Sequence, residues 1–287
     1  MSEDSDRELK NKAAFAQQID PNITRQNVLE DVFGLDIPVE TIPLPSQGLT
    51  YEKGTALNDS RIDIRPMTSR EEDILTSASL IKKGTVLSSL LESCILTKGV
   101  DVRQMLSGDR NTLMIALRIT GYGSEYTAEV KCGECDQKEK YKFNLSSMPI
   151  KRLTQMPVQE NTNLFEISLP VTKKAVRFKL MTGWDEENMS QEREQKKKLG
   201  LPTDNAISTK LKYHVVAVEG KKGFVTDKNL IGKFIESMPA RDSLTLRTQI
   251  DKIEPGIEMS GKYTCTKCGT TDTVDIPLGS TFFWPDE

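Results

Sequence analysis

Cys132-Gly133-Glu134-Cys135 and Cys265-Thr266-Lys267-Cys268 are two C-x-x-C pairs in one chain. A two-residue spacer lets both sulfurs of a pair face one point, while nearby backbone N–H groups temper the thiolate charge. Two such pairs supply the four soft ligands of a tetrahedral Zn²⁺ site, so Cys132, Cys135, Cys265 and Cys268 are the candidate metal ligands, for one ion per chain. Free thiols or a redox pair are the alternatives. The 129 residues from 136 to 264 separate the pairs, whereas an ordinary zinc finger has roughly 15–20. Spacing alone therefore weakens the match, and the local context must restore it. A Cys₄ site has no open coordination position, which makes it structural rather than catalytic. Zinc-finger peptides gain about 10–16 kcal/mol on binding metal, comparable with the roughly 5–15 kcal/mol net stability of a whole domain. An ion here would also close a long loop.

Little else in the chain suggests chemistry. Cys94 lies on the apolar side of a helical pattern and reads as a core residue. His214, the single histidine, reads as a surface or packing residue rather than a fifth ligand. Asp109-Arg110 suits a helix cap or an ion pair. G-x-x-x-x-G-K-[ST], H-E-x-x-H and G-x-S-x-G are all missing from the sequence, and Gly121-Tyr122-Gly123 is too short for a phosphate cradle. No catalytic residue and no small-molecule cofactor is expected. Phe282-Phe283-Trp284 reads either as a last core strand or as a plug for another subunit.

Both cysteine pairs sit between runs of period two. Tyr126, Ala128 and Val130 alternate before the first pair, and Tyr141, Phe143 and Leu145 after it. GKYT and TVDIPL flank the second in the same way, so the chain carries two copies of a knuckle on a hairpin. This context offsets the long separation. A further strand pair is expected at 164–169 and 175–180. Ahead of the first knuckle, residues 41–67 read as an extended entry and one strand. Ser69-x-x-Glu72 has capping-box spacing for a helix running past Ile81 to Gly84. A second helix is expected at about 85–97 and a third from an Asp109 N-cap to Gly121. Residues 182–253 read as helical: one helix from a Thr182 cap to Gly200, one after Asp227, and one from Pro239 to Ile253. The first forty residues read as an arm, with a short amphipathic turn at Asn27–Phe33.

Composition narrows the function classes. Thirty-nine basic and 42 acidic residues in 287 give a formal charge of −3, against the basic surface that duplex DNA demands. Four thiolates outweigh one Zn²⁺, so metal loading makes the chain more acidic still. The hydrophobic set is 37%, enough for a lean core assisted by metal or by neighbours. No uncharged apolar run reaches about 18 residues, and the first twenty lack the apolar segment of a signal peptide, so a reducing cytoplasm is the expected site of synthesis.

The order of several motifs carries a resemblance. Leu44-Pro45-Ser46-Gln47-Gly48 with Tyr51, then Ile64-Arg65-Pro66-Met67-Thr68-Ser69-Arg70-Glu71-Glu72-Asp73, then Gly108-Asp109-Arg110, then Leu117-Arg118 with Gly121-Tyr122-Gly123 and a cysteine knuckle follow one another. As an ordered set over about 41–146, and more loosely to the Phe-Phe-Trp end, they resemble the baseplate hub and hub-assembly protein family of T-even-like contractile-tailed phages. The resemblance implies a structural or assembly protein whose partners are other baseplate and tail proteins, made in the host cytoplasm and placed in the virion tail baseplate.

The expected fold is α+β: a small antiparallel β hub with a Cys₄ zinc site and two helical blocks. Its expected parts are an arm (1–40), an entry strand with a short helical bundle (41–120), the first knuckle and a hairpin (121–181), a helical insertion (182–255) and the second knuckle with a last strand (256–287). No membrane, small-molecule substrate or nucleic acid is an expected partner. The rival reading, a zinc-ribbon nucleic-acid module, rests on Lys131, Lys138, Lys140 and Lys142 around the first knuckle.

Overall fold

Pro43 and Pro45 keep the entry segment extended, and strand β1 (Glu40–Pro43) is the first element of the described residues. The structure, a computed structural model, describes residues 37–200, 206–276 and 282–283. Glu40–Glu287 forms one compact unit. Residues 1–36, with the expected Asn27–Phe33 turn, lie outside the described residues, as does Trp284.

Two strands, rather than one, frame the entry: β1 pairs antiparallel with β2 (Arg61–Ile64), from Glu40 opposite Ile64 to Pro43 opposite Arg61. The loop between them is held by polar contacts in the interior. Ser46 N–H and Tyr51 O–H donate to the Asp109 carboxylate at 3.0 and 2.5 Å, and Tyr51 Oη accepts from Leu106 N–H at 2.9 Å. Gly48 takes φ +72°, and a Cβ there would lie 2.3 Å from the Asn58 carbonyl oxygen.

Helix α1 (Ser69–Thr76) is capped one residue earlier than the spacing suggested. Thr68 and Glu71 form the box, because the Glu71 carboxylate must also meet Arg65, the residue after β2, at 2.9 and 3.1 Å, and the Ser93 hydroxyl at 2.6 Å. The expected continuous helix breaks at Ser77, where ψ is 104°. Thr76 Oγ1 turns back onto the carbonyls of Glu72 and Asp73, a local competitor of the helical ladder. Helix α2 (Ala78–Lys83) then ends at Gly84 in the left-handed conformation, as anticipated.

Helix α3 (Val86–Cys94) buries Leu90, Leu91 and Cys94 completely. Burial pushes the Cys94 thiol up to about 12, so it is an inert core group. Helix α4 (Ser107–Tyr122) starts two residues before Asp109. Asp109 is therefore not its cap but the buried acceptor of its first turn. At the far end Arg118 is 1% exposed and gives its guanidinium to three carbonyls, Gly123, Glu125 and Phe282, at 2.8, 3.1 and 2.8 Å. Phe282 and Phe283 are buried, and Phe282 meets Tyr126 edge-on at 5.2 Å. They belong to the core, in a turn rather than a strand.

The segment expected as wholly helical is mixed. Helix α5 (Gly183–Lys198) has its Thr182–Asp185 capping box, and α7 (Lys228–Glu236) is capped by Asp227. α8 (Ala240–Ile253) follows. Between α5 and α7 lie an unanticipated helix, α6 (Ala206–His214), and two strands, β8 (Val215–Gly220) and β9 (Gly223–Val225). These strands extend β6 (Phe165–Ser168) and β7 (Ala175–Phe178) into a four-stranded antiparallel sheet in the order β6-β7-β8-β9. Val215-Val216-Ala217-Val218 is a continuous apolar run, which periodicity cannot assign to helix or strand. Among the described residues no helix is long and apolar enough to cross a membrane.

The Arg65–Glu71 pair generates a pH dependence. Burial alone would raise the Glu71 carboxyl, but bonds from Arg65, Ser93 and Thr68 outweigh it and hold it well below the usual carboxylate range. A folded pKa below the unfolded value of about 4.3 stabilises at neutral pH, and that contribution fades as pH falls through the carboxylate range. Glu71→Gln should therefore cost about 3–5 kcal/mol at pH 7, and its deficit should shrink as pH is lowered toward 3. Urea melts of both proteins across that range check this; a deficit independent of pH refutes it.

Candidate metal centre

The first ribbon is β3 (Glu125–Lys131) paired with β4 (Lys138–Asn144), in register from Glu125↔Asn144 to Lys131↔Lys138. The second is β11 (Ser260–Thr264) paired with β12 (Thr271–Asp275), from Ser260↔Asp275 to Thr264↔Thr271. Between them, β5 (Ile150–Lys151) and β10 (Gly256–Ile257) pair antiparallel. The two tips are built alike. Cys132 N–H donates to the Gln137 carbonyl at 2.8 Å, and Cys265 N–H to Thr270 at 2.9 Å. The residue after the second cysteine of each pair, Asp136 or Gly269, is left-handed (φ 54° and 74°) and returns its N–H to the first cysteine's carbonyl. That shared left-handed position turns the chain back so that both sulfurs of a knuckle project the same way.

The four sulfurs of Cys132, Cys135, Cys265 and Cys268 lie within 4.8 Å of one another and together can hold a metal ion. Two separations cross between knuckles: Cys132 to Cys268 and Cys135 to Cys265, each 3.6 Å. A tetrahedron of sulfurs 2.3 Å from a central zinc has edges of about 3.8 Å, so the spacing fits an ion shared by both ribbons. A disulfide requires about 2.05 Å. Cys94 and His214 are not part of the cluster.

Electrostatics point the same way. The Tyr263 hydroxyl and the backbone N–H groups of Cys268 and Lys267 pull the Cys265 thiol down to about 6. At Cys135 a hydrogen bond from Gln137 favours the thiolate, but desolvation and the three neighbouring sulfurs outweigh it and raise the thiol to about 12. Four thiolates this close repel, and a divalent cation is what removes the repulsion.

Glu139 and Tyr263 were not apparent as site residues. The Glu139 carboxylate on β4 accepts from the Tyr263 hydroxyl and from the Thr266 N–H (3.1 Å) and hydroxyl (2.5 Å), joining the first ribbon to the second knuckle. In the sequence Glu139 is one charge among the alternating lysines of a solvated strand, so only the fold reveals its partners. Those lysines form no free basic face. Lys131 pairs with Asp136, Lys138 with Glu129 and Lys142 with Glu125 at 2.6, 3.2 and 3.4 Å, and Lys140 too has a partner.

The ribbons also pack directly. Tyr141 meets Tyr263 edge-on at 5.3 Å, and a Cβ on Gly261 would lie 2.7 Å from the Phe143 ring. Gly261→Ala should displace that ring and destabilise the metal-loaded protein by about 1–3 kcal/mol. Urea denaturation measures this, and unchanged stability would show that the ring contact is not tight.

A family model described as T4 bacteriophage base plate protein matches residues 49–284. No curated protein and no solved structure matches the chain.

Proposed function

The chain belongs to the T4 bacteriophage base plate protein family, and on that premise we propose that it is a non-enzymatic structural or assembly protein of the hub or wedge region of a contractile-tail baseplate, stapled by zinc and docked to other tail subunits. The match over residues 49–284 carries this reading. Cys132, Cys135, Cys265 and Cys268 would hold one Zn²⁺ per chain: the donors are all sulfur, the cross-knuckle spacing suits tetrahedral coordination, and four protein ligands leave no position for a substrate. The ion supplies cohesion between ribbons, not turnover.

The motif residues support a scaffold role. Ser46, Tyr51 and Asp109 pin the entry loop to α4, Arg65 and Glu71 join β2 to α1, and Arg118 holds the Phe282 backbone. Each is spent on internal hydrogen bonds. Exposed Trp184, Leu199, Leu230 and Leu244 offer apolar contacts to neighbours. The arm at 1–40 and the 182–255 segment are assigned to subunit contacts, with assembly in the host cytoplasm preceding incorporation into the tail. Carboxylates beside the ribbon lysines weigh against the nucleic-acid module.

Purified protein should carry about one zinc per chain by elemental analysis, and Cys132→Ser or Cys265→Ser should lose it and aggregate. Unchanged zinc content in either variant sinks the site. Deletion of residues 1–40 should leave a folded, zinc-loaded remainder that enters tail particles poorly. Incorporation equal to that of the full chain would remove the arm from the assembly contacts.

A further inference from the structure

Each cysteine pair sits on its own two-stranded sheet, β3–β4 or β11–β12, and among the described residues no backbone ladder joins the two. The hairpins fix the sulfurs within a pair, so side chains must set where one pair stands relative to the other. The ring contacts Tyr141–Tyr263 and Phe143–Gly261 limit how far apart the ribbons lie. Apolar contact has no direction, however, and leaves sliding and rotation weakly opposed. A coordination site tolerates little of either, since its ligands need placing to within about 0.5 Å.

We infer that Glu139 is the positioning residue that sets this alignment and, through it, the affinity of the four sulfurs for their ion. Glu139 lies on β4 of the first ribbon, yet its partners belong to the second. One carboxylate oxygen accepts from the Tyr263 hydroxyl and from the Thr266 N–H at 3.1 Å; the other accepts from the Thr266 hydroxyl at 2.5 Å. Tyr263 precedes Cys265 by two residues and Thr266 follows it, so the three donors bracket that cysteine. Tyr263 is 1% exposed, which gives the carboxylate an anchor held by the core. Thr266 lies in the loop that leads to Cys268, so fixing its N–H and hydroxyl fixes the direction of the knuckle. Three directional bonds oppose both sliding and rotation, as ring packing does not. The Thr270 hydroxyl, 3.4 Å from the Cys268 sulfur, belongs to the second knuckle itself and cannot align it with the first. Glu139 stands outside the sulfur cluster and acts on it through the Thr266 loop. Outer-shell partners of this kind change metal affinity by about 10–100-fold.

This role rests on the zinc site proposed above, and one set of titrations separates the two. Full-length protein is titrated with zinc against a competing chelator, and with cobalt, whose absorption reports a tetrahedral thiolate set. A wild-type chain that binds neither ion overturns the site, and this role with it. With the site present, Glu139→Ala should still take about one ion per chain but hold it about 10–100-fold more weakly, with altered cobalt bands. Glu139→Gln keeps an acceptor oxygen without the charge and should recover most of the affinity. Thr266→Val should weaken binding in the wild-type background and add little to Glu139→Ala, whose partner is already gone. Unchanged affinity in Glu139→Ala overturns the role while leaving the site standing. Equal weakness of the Ala and Gln variants also overturns it, because charge rather than alignment would then be what Glu139 supplies. Effects of Thr266→Val and Glu139→Ala that simply add overturn it as well.

Discussion

Repulsion among four sulfurs is the constraint around which the rest of this molecule is arranged. Two ribbons far apart in sequence bring them within 4.8 Å, a geometry that thiolates do not hold unaided. Everything between the knuckles, including the four-stranded sheet and helices α5 to α8, is a loop whose two ends return to that cluster. Glu139 and the Tyr141–Tyr263 contact align the ribbons laterally, so that a bound ion would act on a joint already close to its final shape. An ion and packing would address different costs: the ion would neutralise charge, and packing restricts the approach.

A second organiser lies in helix α4, whose faces are almost entirely buried. Its first turn holds Asp109 against Ser46 and Tyr51, and its last turns hold Arg118 against the carbonyls of Gly123, of Glu125 at the start of β3, and of Phe282. A helix this deeply buried has little solvent to satisfy its polar side chains, and Asp109, Arg110, Thr112 and Arg118 find backbone or side-chain partners instead. The same first turn lies close to the α8–β10 connection: a Cβ on Gly108 would sit 1.7 Å from the Pro255 carbonyl oxygen. Backbone contact, not side-chain packing, positions the chain that leads into the second ribbon.

What the sequence made readable was local. The flanking hairpins of the cysteine pairs, the Thr182 cap, the helix after Asp227 and the left-handed Gly84 depend on residues within one or two turns of chain, and each stands where its pattern placed it. What escaped reading was nonlocal. The cap of α1 moved to Thr68 because Glu71 answers to Arg65 and Ser93 as well as to its own helix. Asp109 resembled a cap and became a core acceptor because Tyr51, 58 residues earlier, comes to it. Strand β8 was hidden because Val215-Val216-Ala217-Val218 lacks alternation and gains its identity from pairing with β7. The cysteines were legible as a candidate metal set by type and spacing; that Cys132 comes to 3.6 Å from Cys268, and Cys135 to 3.6 Å from Cys265, across the two ribbons was not.

The distance between the knuckles along the chain sets an order of events on the ribosome. The first pair of thiols leaves the exit tunnel with half a coordination sphere. At about 5–20 residues per second, the 129 residues that follow take roughly 6–26 s to be made before the second pair begins to emerge. During that interval the nascent polypeptide carries an open thiol pair available to oxidants, to stray metals or to another nascent chain. Keeping that first pair reduced until the second arrives would thus matter during synthesis, before it matters to the folded protein.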